Sequence, residues 1–281
     1  MPSLPPDLVE RARAFARGTG EVSPARDAAT VVLLRDRPAG PEVYLLRRAP
    51  SMAFAAGMHV FPGGAVDPRD ATHATAWAGP PPQRWAELLN CGEELARALV
   101  CAAIRETFEE SGILLAGSSS DDVVADTTDA GWEDDRLALL DRSLSLAEML
   151  SRRGLVLRSD LLRVWGHWIT PEFEPRRFDT RFFVAAVPDG QRTRDVGGEA
   201  DQVVWMPVSE ALQRYRSGDL AMLPPTAVTL NELMAYDGVP AVLAAARRVV
   251  PLMPRAVVEG DDVRLVLDAP DGERPADAVP Q

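Results

Sequence analysis

One long predicted helix is the feature of this sequence that most constrains the fold. The pattern predicts that it runs from about Glu93 to Ser111 and ends at Gly112, which suits a left-handed C-terminal cap. At about 100° per residue, an apolar stripe follows one side of this helix. The stripe consists of Val100, Cys101, Ile104 and Phe108. This pattern predicts that the striped face, with the Cys101 thiol, is buried.

Three carboxylates crowd the last turns of the same helix. Glu106, Glu109 and Glu110 fall together on roughly the opposite face, where like charges cost a few tenths of a kcal/mol per pair. The helix dipole also disfavours anions at this end. A solvated acidic face is the ordinary explanation for such a cluster. A divalent cation such as Mg²⁺ would make the cluster favourable, because it needs several carboxylate oxygens in one place. Arg105 can also pair with Glu109, one turn later on the helix.

The rest of the chain alternates strand-like and helix-like segments, which predicts an α/β (α+β) fold. Residues 28–36 and 41–48 form a predicted hairpin, and residues 51–67 and 117–135 are predicted loops. The further predicted strands are 161–170, 176–187 and 201–208, with a terminal hairpin at 254–268. The further predicted helices are 5–18, 136–141, 145–153, 209–218 (capped by Ser209), 225–236 and 239–248. We expect one domain over residues 1–268 and a disordered tail over 269–281, rich in Pro, Asp and Ala.

Residues 68–92 are predicted to be an insertion within that domain. They carry three consecutive prolines and three short helix-like patches around Trp77 and Trp85. The segment is a candidate lid over a bound ligand, a docking element for a partner, or a homodimer contact.

Composition narrows the classes of function. The formal net charge of −12 argues against general nucleic-acid binding. All basic residues are arginines, so anions are held by guanidinium groups or backbone N–H groups, and lysine chemistry is excluded. The two cysteines lack CxxC spacing, which argues against a structural zinc site. The N-terminal residues lack an apolar targeting segment, and no run is long enough to span a membrane, so we expect a cytoplasmic protein.

The segment "RETFEESGI" (residues 105–113) resembles the second half of the Nudix hydrolase signature, G-x5-E-x7-R-E-U-x-E-E-x-G-U, where U is bulky and aliphatic. Gly64 fits the opening glycine, and Asp70 stands where the signature has its first glutamate. Residues 71–104 then number 34 where the signature has 7, so the motif is interrupted. Counting back from Arg105 instead puts Arg97 at the position of that glutamate. Glu93 or Glu94, about one turn earlier, are the alternatives for it.

The resemblance implies a Nudix-type α/β/α sandwich with a mixed central sheet, a helical insertion and extra C-terminal helices. It implies a site in which Mg²⁺ or Mn²⁺ neutralises a diphosphate and the carboxylates that bind it. In such a site Glu109 and Glu110 are metal ligands, and Glu106 is a ligand, the catalytic base, or both. Arg105 supports them. The Gly63 carbonyl and a loop carboxylate, for which Glu199 fits by position, complete the metal-binding set.

Several segments resemble the coenzyme A diphosphatase branch of this family: "AAGMHVFPGG", "CAAIRETFEESGILL", "RRFDTRFF" and "LPPT". This similarity implies hydrolysis of the diphosphate bond of coenzyme A, an acyl-coenzyme A or a related nucleotide conjugate. Arg47 and Arg48 are the candidates for binding coenzyme A, and Arg176 and Arg177 for gripping substrate phosphates. Trp165 and Trp168 are either core residues or stacking partners for a base.

Two further hypotheses stay open. The substrate of a Nudix hydrolase can instead be ADP-ribose, a dinucleotide or a nucleoside triphosphate. A protein of this fold can also be a sensor that binds a nucleotide without cleaving it. Sensors of this kind usually lose acids from the "REUxEE" segment, whereas Glu106, Glu109 and Glu110 are all present here.

Overall fold

The structure is a computed structural model of the chain. It describes residues 6–19, 21–38, 40–50, 52, 55–71, 75–194, 200–260 and 262–267. The helices are α1 (Pro6–Ala16), α2 (Pro82–Leu89), α3 (Glu93–Ser111), α4 (Ala130–Leu140), α5 (Leu146–Arg153), α6 (Val208–Ser217), α7 (Pro224–Leu233) and α8 (Val239–Ala244). The strands up to the middle of the chain are β1 (Ala25–Arg37), β2 (Gly40–Arg48), β3 (His59–Val60), β4 (Gly63–Ala65), β5 (Trp77–Ala78) and β6 (Ala116–Gly117). The later strands are β7 (Val156–Arg158), β8 (Arg163–Ile169), β9 (Arg177–Ala186), β10 (Ala200–Pro207), β11 (Pro251–Leu252), β12 (Arg255–Glu259) and β13 (Asp262–Val266).

The central sheet has the strand order β10-β2-β1-β9-β8-β11, with β3 added to β2 and β4 to β1. The β1–β9 and β8–β11 pairs are parallel and the others are antiparallel, so the sheet is mixed as expected. The 13 residues of β1 are long enough to pair with β4 near one end and with β2 near the other. This branching places the short strand β4, which carries Gly63 and Gly64, at the side of the sheet.

Successive residues of β1 point to opposite sides of the sheet, and each side has its own core. Val31 and Leu33 pack with α3 and the helices around it, whereas Val32 and Leu34 pack with α6, α7 and α8. The architecture is therefore the expected α/β/α sandwich. Two smaller sheets, β5-β7-β6 and the β12–β13 hairpin, lie beside it.

The helix α3 runs from Glu93 to Ser111 as predicted, and Gly112 closes it with φ of +76°. Its apolar stripe is buried, which confirms the prediction for Cys101. The opposite face is buried as well, with Glu109 only 6% exposed. The alternative of a solvated acidic face is therefore wrong. The sandwich surrounds this helix and brings its carboxylates inside.

Other boundaries differ from the expectation for identifiable reasons. The loop predicted over residues 51–67 contains β3 and β4, which are too short for a pattern to reveal. Helix α4 begins six residues early, because the Asp129 side chain accepts a hydrogen bond from the Trp132 N–H (3.1 Å) and caps it. Ser209 does not cap α6, which begins at Val208 immediately after Pro207. The predicted tail, residues 269–281, lies outside the described residues.

The described part of the insertion builds core. It contains the 3-10 helix Pro68–Ala71 and the α-helix α2, which holds Trp85 as predicted. Trp77 lies in strand β5, so the helical patch predicted around it was wrong. Helix α2 packs on α3 and buries Trp85, whose ring meets Phe183 of β9 edge-on with centroids 5.9 Å apart. Trp85 Nε1 has no hydrogen-bond partner among the described residues. Within residues 75–92, the insertion supports the sheet.

No helix in the described ranges is both long enough and apolar enough to cross a lipid bilayer.

The burial of Trp85 predicts that Trp85→Ala destabilises the protein by about 3 kcal/mol or more, because it empties a core site. Trp85→Phe should cost markedly less, since it keeps an aromatic ring and removes the unpaired N–H. Urea unfolding followed by circular dichroism measures both. A Trp85→Ala variant as stable as the wild type would show that the insertion is dispensable to the core.

Candidate active site

The candidate site is organised around the buried guanidinium group of Arg105. Its Nε and Nη2 atoms donate to the Asp70 carboxylate at 3.0 and 2.9 Å, and Nη2 also donates to the Ala65 carbonyl at 3.1 Å. Its Nη1 donates to Glu106 at 2.7 Å and to Glu109 at 3.2 Å, which confirms the predicted pairing with Glu109. Burial alone would lower the pKa of Arg105, but its hydrogen bonds to Asp70 and the charges of Asp70, Glu106 and Glu109 raise it.

Asp70 takes the position that the sequence left open. It is 4% exposed and lies 35 residues before Arg105, yet it is in direct contact with it. Glu93 and Glu94 are exposed at the first turn of α3, and neither stands in for it. The two halves of the interrupted signature therefore meet in the folded chain, where Asp70 is the acid that binds Arg105.

Glycines at 63 and 64 allow strand β4 to approach the carboxylates. A Cβ on Gly64 would overlap the Glu106 carboxylate, and a Cβ on Gly63 would lie 2.5 Å from the Ala29 carbonyl oxygen. The Gly63 N–H donates to Glu110 Oε2 at 2.7 Å. Gly63 lies opposite Thr30 in the antiparallel β1–β4 ladder, at a position where the two residues are not hydrogen-bonded to each other. At such a position the N–H and the carbonyl of Gly63 both point away from β1. The carbonyl predicted as a metal ligand therefore lies on the same side of the strand as Glu110.

The surroundings of Glu106 and Glu109 disfavour the charged forms of their carboxyl groups. Burial, reinforced by the charge of Glu109, raises the pKa of Glu106 to about 7 despite the opposing effect of Arg105. Burial also raises the pKa of Glu109. One guanidinium group thus faces three carboxylates, those of Asp70, Glu106 and Glu109. The site carries an excess of buried negative charge.

This donor set fits a hard divalent cation in charge and in atom type, because buried carboxylate oxygens are what Mg²⁺ and Mn²⁺ prefer. Among the described residues, no three His, Cys, Asp or Glu side chains are grouped as a ready-made metal site. Arg105 and the Gly63 N–H instead engage the oxygens of Glu106, Glu109 and Glu110. Glu199, the predicted loop ligand, lies outside the described residues.

The acids open into a cavity of about 800 Å³, within the size range of small-molecule sites. In this acidic protein the cavity wall is nevertheless rich in arginine: Arg26, Arg48, Arg69, Arg105, Arg136, Arg142 and Arg176. Arg26, Arg142 and Arg176 are exposed, so their guanidinium groups can meet a ligand from solvent. The "LPPT" segment, residues 223–226, lines the cavity at the start of α7.

The predicted substrate-binding arginines divide into two pairs. Arg48 and Arg176 line the cavity, as the prediction requires. Arg47 does not, because its guanidinium group makes a two-pronged pair with Asp201 at 2.7 and 2.8 Å. Arg177 is buried and donates to the Ser23 and Thr170 carbonyls and to the Met253 sulfur, so its donors bind protein groups instead of a phosphate.

The two tryptophans have different environments. Trp165 is 1% exposed and donates to Glu232 at 2.9 Å, which makes it a core residue. Trp168, three residues on, is buried but lines the cavity. Sequence reasoning missed Arg26, Arg136 and Arg142, because the start of a strand, a helix face and a loop carry no pattern that reveals their convergence.

Comparisons with known proteins show the family of the chain. Residues 86–233 match the family model of the NUDT19 Nudix domain. The chain is 27% identical over 236 residues to the acyl-coenzyme A diphosphatase NUDT19 of Xenopus laevis, and 27% identical over 196 residues to the putative nudix hydrolase 7 of Caenorhabditis elegans. These alignments cover 69% and 68% of this chain but 60% and 55% of those relatives, so the chain spans less than two thirds of their length.

A solved structure supports the fold over a larger share of the chain. The crystal structure of a NUDIX hydrolase from Alicyclobacillus acidocaldarius is 32% identical and superposes with a TM-score of 0.67. The match covers 80% of this chain and 98% of that one. The chain belongs to the Nudix hydrolase family. Within that family it resembles the NUDT19 branch.

The contact between Asp70 and Arg105 predicts that Asp70→Ala destabilises the protein by about 3 kcal/mol, because a buried ion pair loses one partner. The control is Glu87→Ala, which breaks the exposed pair with Arg84 and should change stability by no more than about 0.5 kcal/mol. Chemical unfolding of the two variants under the same conditions makes the comparison. Equal stabilities would mean that Asp70 does not anchor Arg105.

Proposed function

We propose that this protein is a diphosphatase that uses Mg²⁺ or Mn²⁺ to hydrolyse coenzyme A or an acyl-coenzyme A. The observation that carries the proposal is the buried carboxylate group of α3, which opens into an arginine-lined cavity. Membership of the Nudix hydrolase family supports the reaction class. The activity for which the Xenopus relative is named, acyl-coenzyme A diphosphatase, supports the substrate class.

Each residue of the site has a proposed role. Glu109 and Glu110, with the Gly63 carbonyl, are the proposed metal ligands, and Glu106 is a ligand, the base that accepts a proton from water, or both. Bound divalent ions would neutralise the diphosphate, orient its oxygens and make a bound water more acidic. Arg105 restrains Glu106 and Glu109 through its hydrogen bonds, and Asp70 restrains Arg105. Arg48 and Arg176 are placed on the cavity wall, where they can pair with substrate phosphates.

The reaction is a hydrolysis at a phosphoric anhydride. The oxygen of water forms a bond to one phosphorus, the bond from that phosphorus to the bridging oxygen breaks, and the other phosphate leaves. For coenzyme A, the products are phosphopantetheine, or its acyl ester, and adenosine 3′,5′-bisphosphate. The arginines and the cation both favour the charge that builds on the phosphoryl oxygens.

A non-catalytic sensor is the less favoured alternative. Glu106 and Glu109 contact the arginine that restrains them, and Glu110 accepts a hydrogen bond from the Gly63 N–H. A binding protein has no need to bury this charge. The proposed partners are small nucleotide-diphosphate molecules.

A substrate panel tests the substrate class. Coenzyme A, an acyl-coenzyme A, ADP-ribose, a dinucleotide and a nucleoside triphosphate are each incubated with Mg²⁺ or Mn²⁺, and products are identified by mass. We expect kcat/KM for coenzyme A or its ester to exceed that of the other classes by about tenfold or more. A preference for ADP-ribose, a dinucleotide or a triphosphate would overturn the substrate class and leave the reaction class standing.

The proposed metal ligands are tested on the preferred substrate. Glu109→Gln and Glu110→Gln should each lower kcat by about 10²-fold or more, because a neutral amide is a poor ligand for a hard cation. Glu94→Gln is the matched control on the same helix. It is exposed, and turnover should be unchanged. Thermal melting checks that the variants remain folded, and full activity in both test variants would refute the role of these carboxylates.

A further inference from the structure

The cavity has two chemically different ends. One end is formed by the carboxylates of α3 and the glycines of β4. The other end carries both apolar and charged side chains. Its apolar side chains are Leu8, Trp168, Phe178, Phe182, Pro254 and Leu265, and Arg26, Glu174 and Arg176 lie beside them. The proposed reaction leaves these apolar side chains without a role.

The strand register explains why aromatic rings form the floor of the apolar end. In the parallel pair β1–β9, Arg26 lies opposite Phe178 and Thr30 opposite Phe182. Because side chains alternate across a strand, Phe178 and Phe182 share one face of the sheet. Trp168 of β8 lies opposite Thr180 and joins the same surface. The floor therefore adjoins Thr30, which pairs with Gly63 of the carboxylate end.

The cover of the apolar end comes from the two terminal parts of the chain. Leu8 belongs to α1 and Leu265 to β13, and α1 contacts both strands of the β12–β13 hairpin. These elements lie outside residues 86–233, which match the family model. The floor residues Trp168, Phe178 and Phe182 lie inside that range, so the floor and the cover come from different regions of the chain.

Two arginines link the elements that cover the apolar end to the rest of the protein. Arg177 joins the segment after α1, the end of β8 and the approach to β12 through the Ser23 carbonyl, the Thr170 carbonyl and the Met253 sulfur. Arg11 of α1 pairs with Glu174 at 3.1 Å. The elements around the apolar end are therefore connected by side-chain hydrogen bonds and an ion pair.

We infer that this end binds the acyl chain of an acyl-coenzyme A, with Leu8 and Leu265 as residues that determine specificity for chain length. The inference rests on the proposed function, because it places the diphosphate at the carboxylate end of the same cavity. An acyl chain matches the aliphatic and proline side chains that cover the floor, because Leu8, Pro254 and Leu265 offer apolar contacts and no hydrogen bonds. Each methylene buried there raises affinity roughly fourfold.

The test is a kinetic series over free, acetyl-, octanoyl- and palmitoyl-coenzyme A. For the wild type, we expect kcat/KM to rise by about tenfold or more from the acetyl to the octanoyl ester. Leu265→Asp places a charge on the apolar wall and should abolish this rise while keeping kcat/KM for free coenzyme A within about threefold. The matched control is Leu137→Asp on α4, an exposed leucine that does not line the cavity and should behave as wild type.

A second variant guards against loss of the hairpin. Leu265→Trp keeps the wall apolar but fills space, so it should lower kcat/KM for the palmitoyl ester more than for the acetyl ester. If wild type and Leu265→Asp show the same dependence on chain length, the inference is overturned while the proposed function stands. A uniform loss on free coenzyme A and on every ester also overturns it, because the pocket would then bind the part of the substrate they share. If the wild type cleaves none of the series, the proposed function itself fails.

Discussion

The structure depends on a single buried guanidinium group. Arg105 uses its donors to hold Asp70, Glu106, Glu109 and the Ala65 carbonyl, which belong to the 68–71 turn, helix α3 and strand β4. Without a positive charge at this point, three carboxylates would be buried together at a large electrostatic cost. The arginine therefore allows the fold to keep these acids in its interior, where they form the candidate site.

The glycines of β4 follow from the same constraint. A strand can run beside a crowded carboxylate group only if it carries no side chain there, and a Cβ at Gly64 would overlap Glu106. The branching of the sheet, in which β1 pairs with β4 at one end and with β2 at the other, delivers this bare strand to the right place. The turn at 68–71 then brings Asp70 back towards α3.

The sequence predicted the fold class and the acids because both depend on local patterns. The limits of α3 follow from helical periodicity and from the tolerance of Gly112 for positive φ, and the long strands follow from runs of branched apolar residues. The contact of Asp70 with Arg105 was beyond such reasoning. A motif counts residues, whereas an ion pair depends on distance, and the 34 residues between Asp70 and Arg105 can fold so that these two side chains meet. The partners of Arg47 and Arg177 were beyond such reasoning for a related reason, since a basic residue near a motif says nothing about which partner lies closest in space.

The clamp made by Arg177 has an evolutionary implication. Arg177 holds a segment from each terminal part of the chain at one end of the cavity. The elements that cover the cavity are therefore separate from the helix that carries the acids. Substitutions in the covering elements can accumulate without disturbing the buried charges. Members of a lineage with this arrangement can therefore diverge in what they accept while their chemistry stays the same.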